Sequence, residues 1–192
     1  MKRIHIFEFE DFSWFPNLLR QPMTNFIVAM HKLLGSSPEL AKLISEAMDA
    51  GNTNKVLDMC SGGGGPMLNV IEVLKKDHGK SDIELTLTDL YPNLQAANKI
   101  NDLNRNDICY ETVPLNATDV DENHNGVRTM VCSMHHMKPE TAKAILTNAK
   151  DSNQPLVVFE ISDNAFPTRL WLIALPINFL MVFFVTPLVR PF

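Results

Sequence analysis

The feature that most constrains this chain is the run Val56, Leu57, Asp58, Met59, Cys60, Ser61, Gly62, Gly63, Gly64, Gly65, Pro66. Two apolar residues suited to a strand lead to an acid, then to four successive glycines. From Pro66 to Lys76 the apolar residues take helical spacing. A strand-to-helix turn made of glycine lets the backbone come close to a ligand, and the helix behind it directs free N–H groups at the same place. Two nucleotide-binding fingerprints fail on these residues. A P-loop needs Lys and then Ser or Thr after the glycines, where Pro66 and Met67 stand. A dinucleotide G-x-G-x-x-G fingerprint needs a third glycine where Met67 or Leu68 stands.

The rest of the chain alternates strand and helix around this turn. Thr24 is placed to cap a helix with Ile27, Met30, His31 and Leu34 on one stripe, stopped by Gly35. Ser37, Pro38 and Glu39 open a second helix carrying Leu40, Leu43, Ile44, Ala47 and Met48, with Gly51 as its stop. After the glycine turn, Ile83, Leu85 and Leu87 alternate with polar residues up to Asp89, and Pro92 begins a helix with Leu94, Ala97, Ile100 and Leu103 on one face. Ile108 to Val113 reads as a third strand and Val127 to Cys132 as a fourth. Pro139 to Ala149 reads as a helix. Leu156 to Ile161 is apolar without alternation, the pattern of a centrally buried parallel strand. This order predicts an α/β fold, a doubly wound and mostly parallel sheet with helices on both faces.

Composition narrows the function classes. A net charge of -5 over 192 residues, with no clustered Lys/Arg surface visible, argues against a general nucleic-acid binder. Cys60, Cys109 and Cys132 are odd in number and far apart, which suits a reducing cytoplasmic compartment better than a disulfide framework or a zinc site. The N-terminal MKRIHIFEFEDF has acids where a signal peptide needs an apolar run, so no secretion signal is expected.

The glycine segment resembles the first motif of class I S-adenosylmethionine-dependent methyltransferases, D-x-G-x-G-x-G. Asp58, Cys60, Gly62 and Gly64 hold its places, Cys60 standing for the first glycine. The resemblance continues in register from Lys55 to Ile161. It implies S-adenosylmethionine as cofactor and a Rossmann-like fold of seven strands, of which this chain supplies five, so the last two are expected to be lacking. It implies that Asp89 accepts hydrogen bonds from the ribose hydroxyls with Leu90 beside it, a task for which a carboxylate offers two acceptors. It implies that Asn116 and Ala117 hold the adenine, Asn116 replacing an acid and Asp119 being a second candidate partner. Ser133, Met134, His135, His136 and Met137 resemble the S-F-H-H-F segment of one bacterial branch, placing Ser133 at the cofactor. His135 and His136 then either deprotonate a substrate or order a loop. A metal site is not expected, because neighbouring strand residues point to opposite faces. The strand end lacks the Asn-Pro-Pro-Tyr type sequence of enzymes that methylate amino groups on bases or glutamine.

Three segments are expected: 1–54 as a helical and lid segment, 55–165 as the cofactor-binding core, and 166–192 as a hydrophobic tail. In the first, Glu8 to Phe12 with Trp14 and Phe15 form an acidic and aromatic cluster that reads as a lid or as an arm on the sheet edge. In the last, Leu170 to Val189 carries no charge between Arg169 and Arg190, and about 20 residues suffice for a bilayer core of roughly 30 Å. Two prolines and Asn178 interrupt it, so membrane insertion, surface association and a buried core helix all fit. An exposed sheet edge also offers a route to a homodimer. Glu160 lies on the substrate side of the expected sheet, as a site residue or a salt-bridge partner.

The function expected is therefore a methyltransferase acting on a small or lipid-like substrate. The alternative is a methyltransferase-like binding or interaction protein without catalysis. An NAD-dependent oxidoreductase would rest on fold analogy alone.

Overall fold

The computed structural model describes residues 27–161, together with Trp14, Pro16, Ile173, Pro176, Ile177 and Leu180. Thr24, Phe15, Glu8 to Phe12 and most of Leu170 to Val189 lie outside the described residues. Residues 27–34 are helical and Gly35 follows with a φ of 62°, the left-handed stop that the sequence predicts. The expected stripe is corrected, because Ile27 and Leu34 are exposed while Ala29 and His31 are buried.

Helix α1, Ser37–Gly51, has Pro38 in its first turn and buries Leu40, Ala41, Ile44 and Met48. Its N-cap is Ser36 rather than Ser37, and the Ser36 hydroxyl turns away from the helix to His31 Nδ1 at 2.7 Å. Gly51 is the last helical residue, and Asn52 with a φ of 46° makes the left-handed exit. Gly51 serves contact instead, since a Cβ there would stand 2.7 Å from Pro155 Cγ.

The sheet consists of β1 (Lys55–Asp58), β2 (Glu84–Leu87), β3 (Ile108–Tyr110), β4 (Val127–Val131) and β5 (Leu156–Phe159). All four pairings are parallel, and the order is β3-β2-β1-β4-β5. The connections run through α2 (Met67–Asp77), α3 (Leu94–Asn101) and α4 (Pro139–Asp151). Successive strand residues point to opposite faces. Val56, Leu85, Leu87 and Val127 accordingly pack with residues of α1, α2 and α3 in one cluster, whereas Leu57 and Met130 pack with Ile145 of α4 in another. Helices thus cover both faces, as a doubly wound sheet requires.

Several boundaries move. The third strand ends at Tyr110 because the chain then crosses the carboxyl end of β2, where Leu115 N donates to the Asp89 carbonyl at 2.9 Å, leaving Val113 exposed. The fourth strand ends at Val131, since Cys132 turns left-handed with a φ of 49°. Helix α3 begins at Leu94 after the cap Asn93, whose side chain accepts from Ala96 N at 3.1 Å, and Leu94 and Leu103 are exposed. The apolar fifth strand is not central. Among the described residues it is the outermost strand of its side, and Val158 is 38% exposed. Among the described residues no helix is long and apolar enough to cross a membrane.

Candidate cofactor site

The chain runs from β1 outward through β2 to β3, then returns to place β4 on the other side of β1. That reversal lies between β1 and β4, and in open parallel sheets ligands bind at the carboxyl ends of the strands at such a point. The segments that frame it here are the glycine turn after β1 and the Cys132 to His136 segment after β4.

The turn is held by Asp58. Its side chain is buried, with Ser61 Oγ donating to Oδ2 and Thr129 Oγ1 donating to Oδ1, both at 2.6 Å. Burial is the main reason its carboxyl is pushed up to about 6, opposed by these two hydroxyls and assisted by the charge of Asp89. Backbone bonds lace the same place: Thr88 N donates to the Asp58 carbonyl and Ser61 N to the Thr88 carbonyl, each at 2.9 Å. Asp58 therefore shapes the turn from beneath. Cys60, Gly62, Gly64 and Gly65 all take positive φ, between 49° and 94°, so Cys60 adopts the backbone that the glycine it replaces would adopt. At Gly64 space is also short, a Cβ lying 3.0 Å from Ile100 Cδ1.

Asp89, half-buried just beyond β2, accepts from Gly62 N through Oδ2 and from Tyr91 N through Oδ1, each at 2.8 Å. A carboxylate oxygen has two acceptor positions, which is the chemistry that suits this residue type to a pair of ligand hydroxyls. Leu90 beside it is exposed. Asn116 is exposed, and its Oδ1 already accepts from Thr118 N at 3.0 Å and Thr118 Oγ1 at 2.8 Å, closing an Asx turn. Ala117 is buried against Leu57 and Met130. Asp119 is exposed.

After β4, Ser133 is buried, and among the described residues its hydroxyl has no hydrogen-bond partner. Met134–His136 form a single 3₁₀ turn, in which the His135 and His136 rings stand 4.2 Å apart. Glu160, just past β5, grips His135 twice: Oε2 lies 2.7 Å from Nδ1 and Oε1 accepts the backbone N–H at 3.2 Å. Burial raises the Glu160 carboxyl, but the hydrogen bonds and charge of His135 outweigh it, so the group sits below its ordinary value and is a carboxylate near neutral pH.

Sequence reasoning missed Ser61, Thr129 and Tyr110. Tyr110 donates its hydroxyl to the Gly62 carbonyl at 2.8 Å, while Asn101 clamps the Tyr110 backbone through both amide atoms at 2.8 and 2.9 Å. These contacts join residues up to 71 positions apart, and only the fold brings them together. A cavity of about 500 Å³ lies elsewhere, over β1 and β2 beside Glu111 and His124.

No family model matches the chain, and no curated protein matches it. Among solved structures it is similar to PKMT2 from Rickettsia typhi in complex with AdoHcy, with 21% identity and a TM-score of 0.43 over 62% of this chain and 22% of that one. It is also similar to the O-methyltransferase NcsB1 from neocarzinostatin biosynthesis, in complex with S-adenosylmethionine and 2-hydroxy-5-methyl naphthoic acid. That match has 16% identity and a TM-score of 0.44, over 72% of this chain and 52% of that one. The chain thus spans about a fifth of the first and about half of the second. By its own strand order and parallel pairing, the chain has a doubly wound, Rossmann-like α/β fold.

Proposed function

We propose that the chain is an S-adenosylmethionine-dependent methyltransferase acting on a small or lipid-like acceptor. The observation that carries this reading is the pinning of the left-handed glycine turn to Asp89 at the switch point of the sheet. The residues present fit the cofactor. Asp89 is a carboxylate suited to a pair of ribose hydroxyls, Gly62 to Gly65 leave room for close backbone approach, exposed Leu90 offers an apolar surface, and the buried Ser133 hydroxyl lacks a partner among the described residues. When bound, S-adenosylmethionine supplies a sulfonium methyl as electrophile.

The protein then has to position the acceptor and handle its proton. Because Glu160 is a carboxylate, His135 donates to it through Nδ1–H, which fixes the orientation of the ring. His135 is the residue that would take the proton of an acceptor hydroxyl, with Glu160 stabilising the imidazolium so formed. The His136 ring lies against that of His135, tilted by 34°. A reducing cytoplasmic compartment suits Cys60, Cys109 and Cys132, which form no disulfide among the described residues.

The test is release of S-adenosylhomocysteine with phenols, carboxylic acids and hydroxylated lipids offered as acceptors. His135→Ala is expected to lower turnover by about 10²- to 10⁴-fold with cofactor affinity unchanged. Undiminished turnover in that variant would return His135 to the role of ordering a loop. A second reading, a binding or interaction protein without turnover, draws on Asn116, whose acceptor is committed to Thr118. Cofactor binding without turnover of any acceptor would favour it.

A further inference from the structure

The link from β3 to β4, residues 111–126, contains no helix, and Lys55 and Leu57 of β1 with Glu84 and Thr86 of β2 floor the cavity of about 500 Å³. Glu111 and His124, from the two ends of the link, stand at its wall. The link is tied down at Val120, whose N–H donates to Asn148 Oδ1 at 3.3 Å, and at Gly126, whose N–H donates to Gln154 Oε1 at 2.7 Å. Between these anchors, Asp121 accepts from Asn123 N through Oδ1 at 2.9 Å and from His124 N through its carbonyl at 3.3 Å, bonds that stay within the turn. Among the described residues, the hydrogen bond that fastens this turn to another part of the chain joins His124 Nε2 to Glu111 Oε2 at 3.0 Å. The other ring nitrogen, Nδ1, lies 2.7 Å from Asp121 Oδ1.

Two acid side chains thus face the two nitrogens of one imidazole. An ionised carboxyl group only accepts, and a neutral imidazole has one N–H, so only the imidazolium can donate to both. Glu122 follows Asp121 in the turn, while Lys55 and Glu84 across the cavity are paired with each other at 3.8 Å. Burial works to lower the proton affinity of His124, but the hydrogen bonds and charges of Glu111 and Asp121 outweigh it and hold the ring above its ordinary value.

We infer that His124 is a proton-operated clasp on the wall of this cavity: as imidazolium it fastens the 121–125 turn to Glu111, and as neutral imidazole it cannot hold both acids, so the wall loosens. Whichever bond is lost, a ring lone pair is left facing a carboxylate. The clasp closes the base of the loop that carries Asn116 and Ala117, and it holds whatever that loop binds. The folded chain keeps the proton more tightly than the unfolded one. The clasp is therefore fully fastened below the ordinary imidazole value of 6.5 and is lost as pH rises through the higher folded value.

The experiment is a pH titration of the full chain by NMR, following the His124 ring and the amide protection of residues 121–125 relative to the unfolded chain at each pH. The ring, assigned by its absence in His124→Gln, is expected to titrate above 6.5 and to move down in Glu111→Gln. Protection of the turn is expected to fall by about two- to fivefold between pH 6 and pH 8, the range for partly exposed ion pairs, and to stay constant in His124→Gln. Circular dichroism separates a lost clasp from a lost fold, and the wild-type titration decides the matter even where a variant does not fold. A ring that titrates at or below 6.5, wild-type protection that is unchanged across that range, or an equal fall in His124→Gln would overturn the inference.

Discussion

Asp89 Oδ2 accepts the Gly62 amide at 2.8 Å, so the acid at the end of β2 fixes the turn that follows β1. The residue expected to meet the ribose thereby also sets the shape of the loop that would pass beside the rest of the cofactor. Binding and loop geometry are coupled through one carboxylate.

Removing that carboxylate should cost more than a single ligand contact. Asp89→Ala is expected to weaken S-adenosylmethionine binding by about 1.5–3 kcal/mol, the range for hydrogen bonds to a charged group. Titration calorimetry on the two proteins measures it directly. Equal affinities would remove Asp89 from the site.

The buried Asp58 predicts a slope of stability with pH. Its folded carboxyl lies at about 6 against an ordinary 3.8, so the folded state holds the proton more tightly than the unfolded chain. Stability from this group is therefore present at low pH and declines as pH rises from about 4 to about 6, then levels off. Asp58→Asn should remove that part of the slope, as urea unfolding at pH 4, 5, 6 and 7 would reveal. An identical slope in the variant would show that Asp58 ionises normally.

Cys60 holds a left-handed backbone with a φ of 60°. For a residue with a Cβ this conformation costs about 1–2 kcal/mol, and glycine relieves it while adding about 0.5–1 kcal/mol of backbone entropy to the unfolded chain. Cys60→Gly is thus expected to stabilise the protein by up to about 1 kcal/mol, read as a raised urea midpoint. A lowered midpoint would mean that the thiol makes contacts worth more than the strain.

Arg128 is 1% exposed, and among the described residues its guanidinium has one partner, the neutral Asn148 Oδ1, at 2.6 Å from Nη1, while Nε has none. Burial accordingly lowers its proton affinity. A buried charge without an acid is costly, and apolar replacement of similar size is often neutral or stabilising. Arg128→Met should leave thermal stability unchanged or raise it; a loss of more than about 2 kcal/mol would show that the charge is compensated.

Much of this architecture was legible because it is local. Alternation from Ile83 to Thr88 marks β2 and puts Asp89 at its end, and the glycines after Asp58 mark the turn. What was not legible depends on distant neighbours. The unbroken apolar pattern of β5 reads as a central strand, but only the order of the sheet decides which strands lie inside it, and β5 lies at one side. Gly51 reads as a left-handed stop, yet its role is clearance for Pro155, over a hundred residues later. Asp58 reads as a ligand contact, and only the fold reveals that its side chain is buried beneath the turn and accepts from Ser61 and Thr129. Glu160 was noticed, but its grip on His135 needs the ends of β4 and β5 side by side.

The carboxyl edge of the sheet between β1 and β4 is the proposed S-adenosylmethionine site. Calorimetric titration of the full chain with S-adenosylmethionine and S-adenosylhomocysteine, with NAD as control, tests it most directly. Dissociation constants in the micromolar range, roughly -8 kcal/mol, are expected for the first two, with no heat from NAD. A folded sample that binds neither adenosyl compound would contradict it.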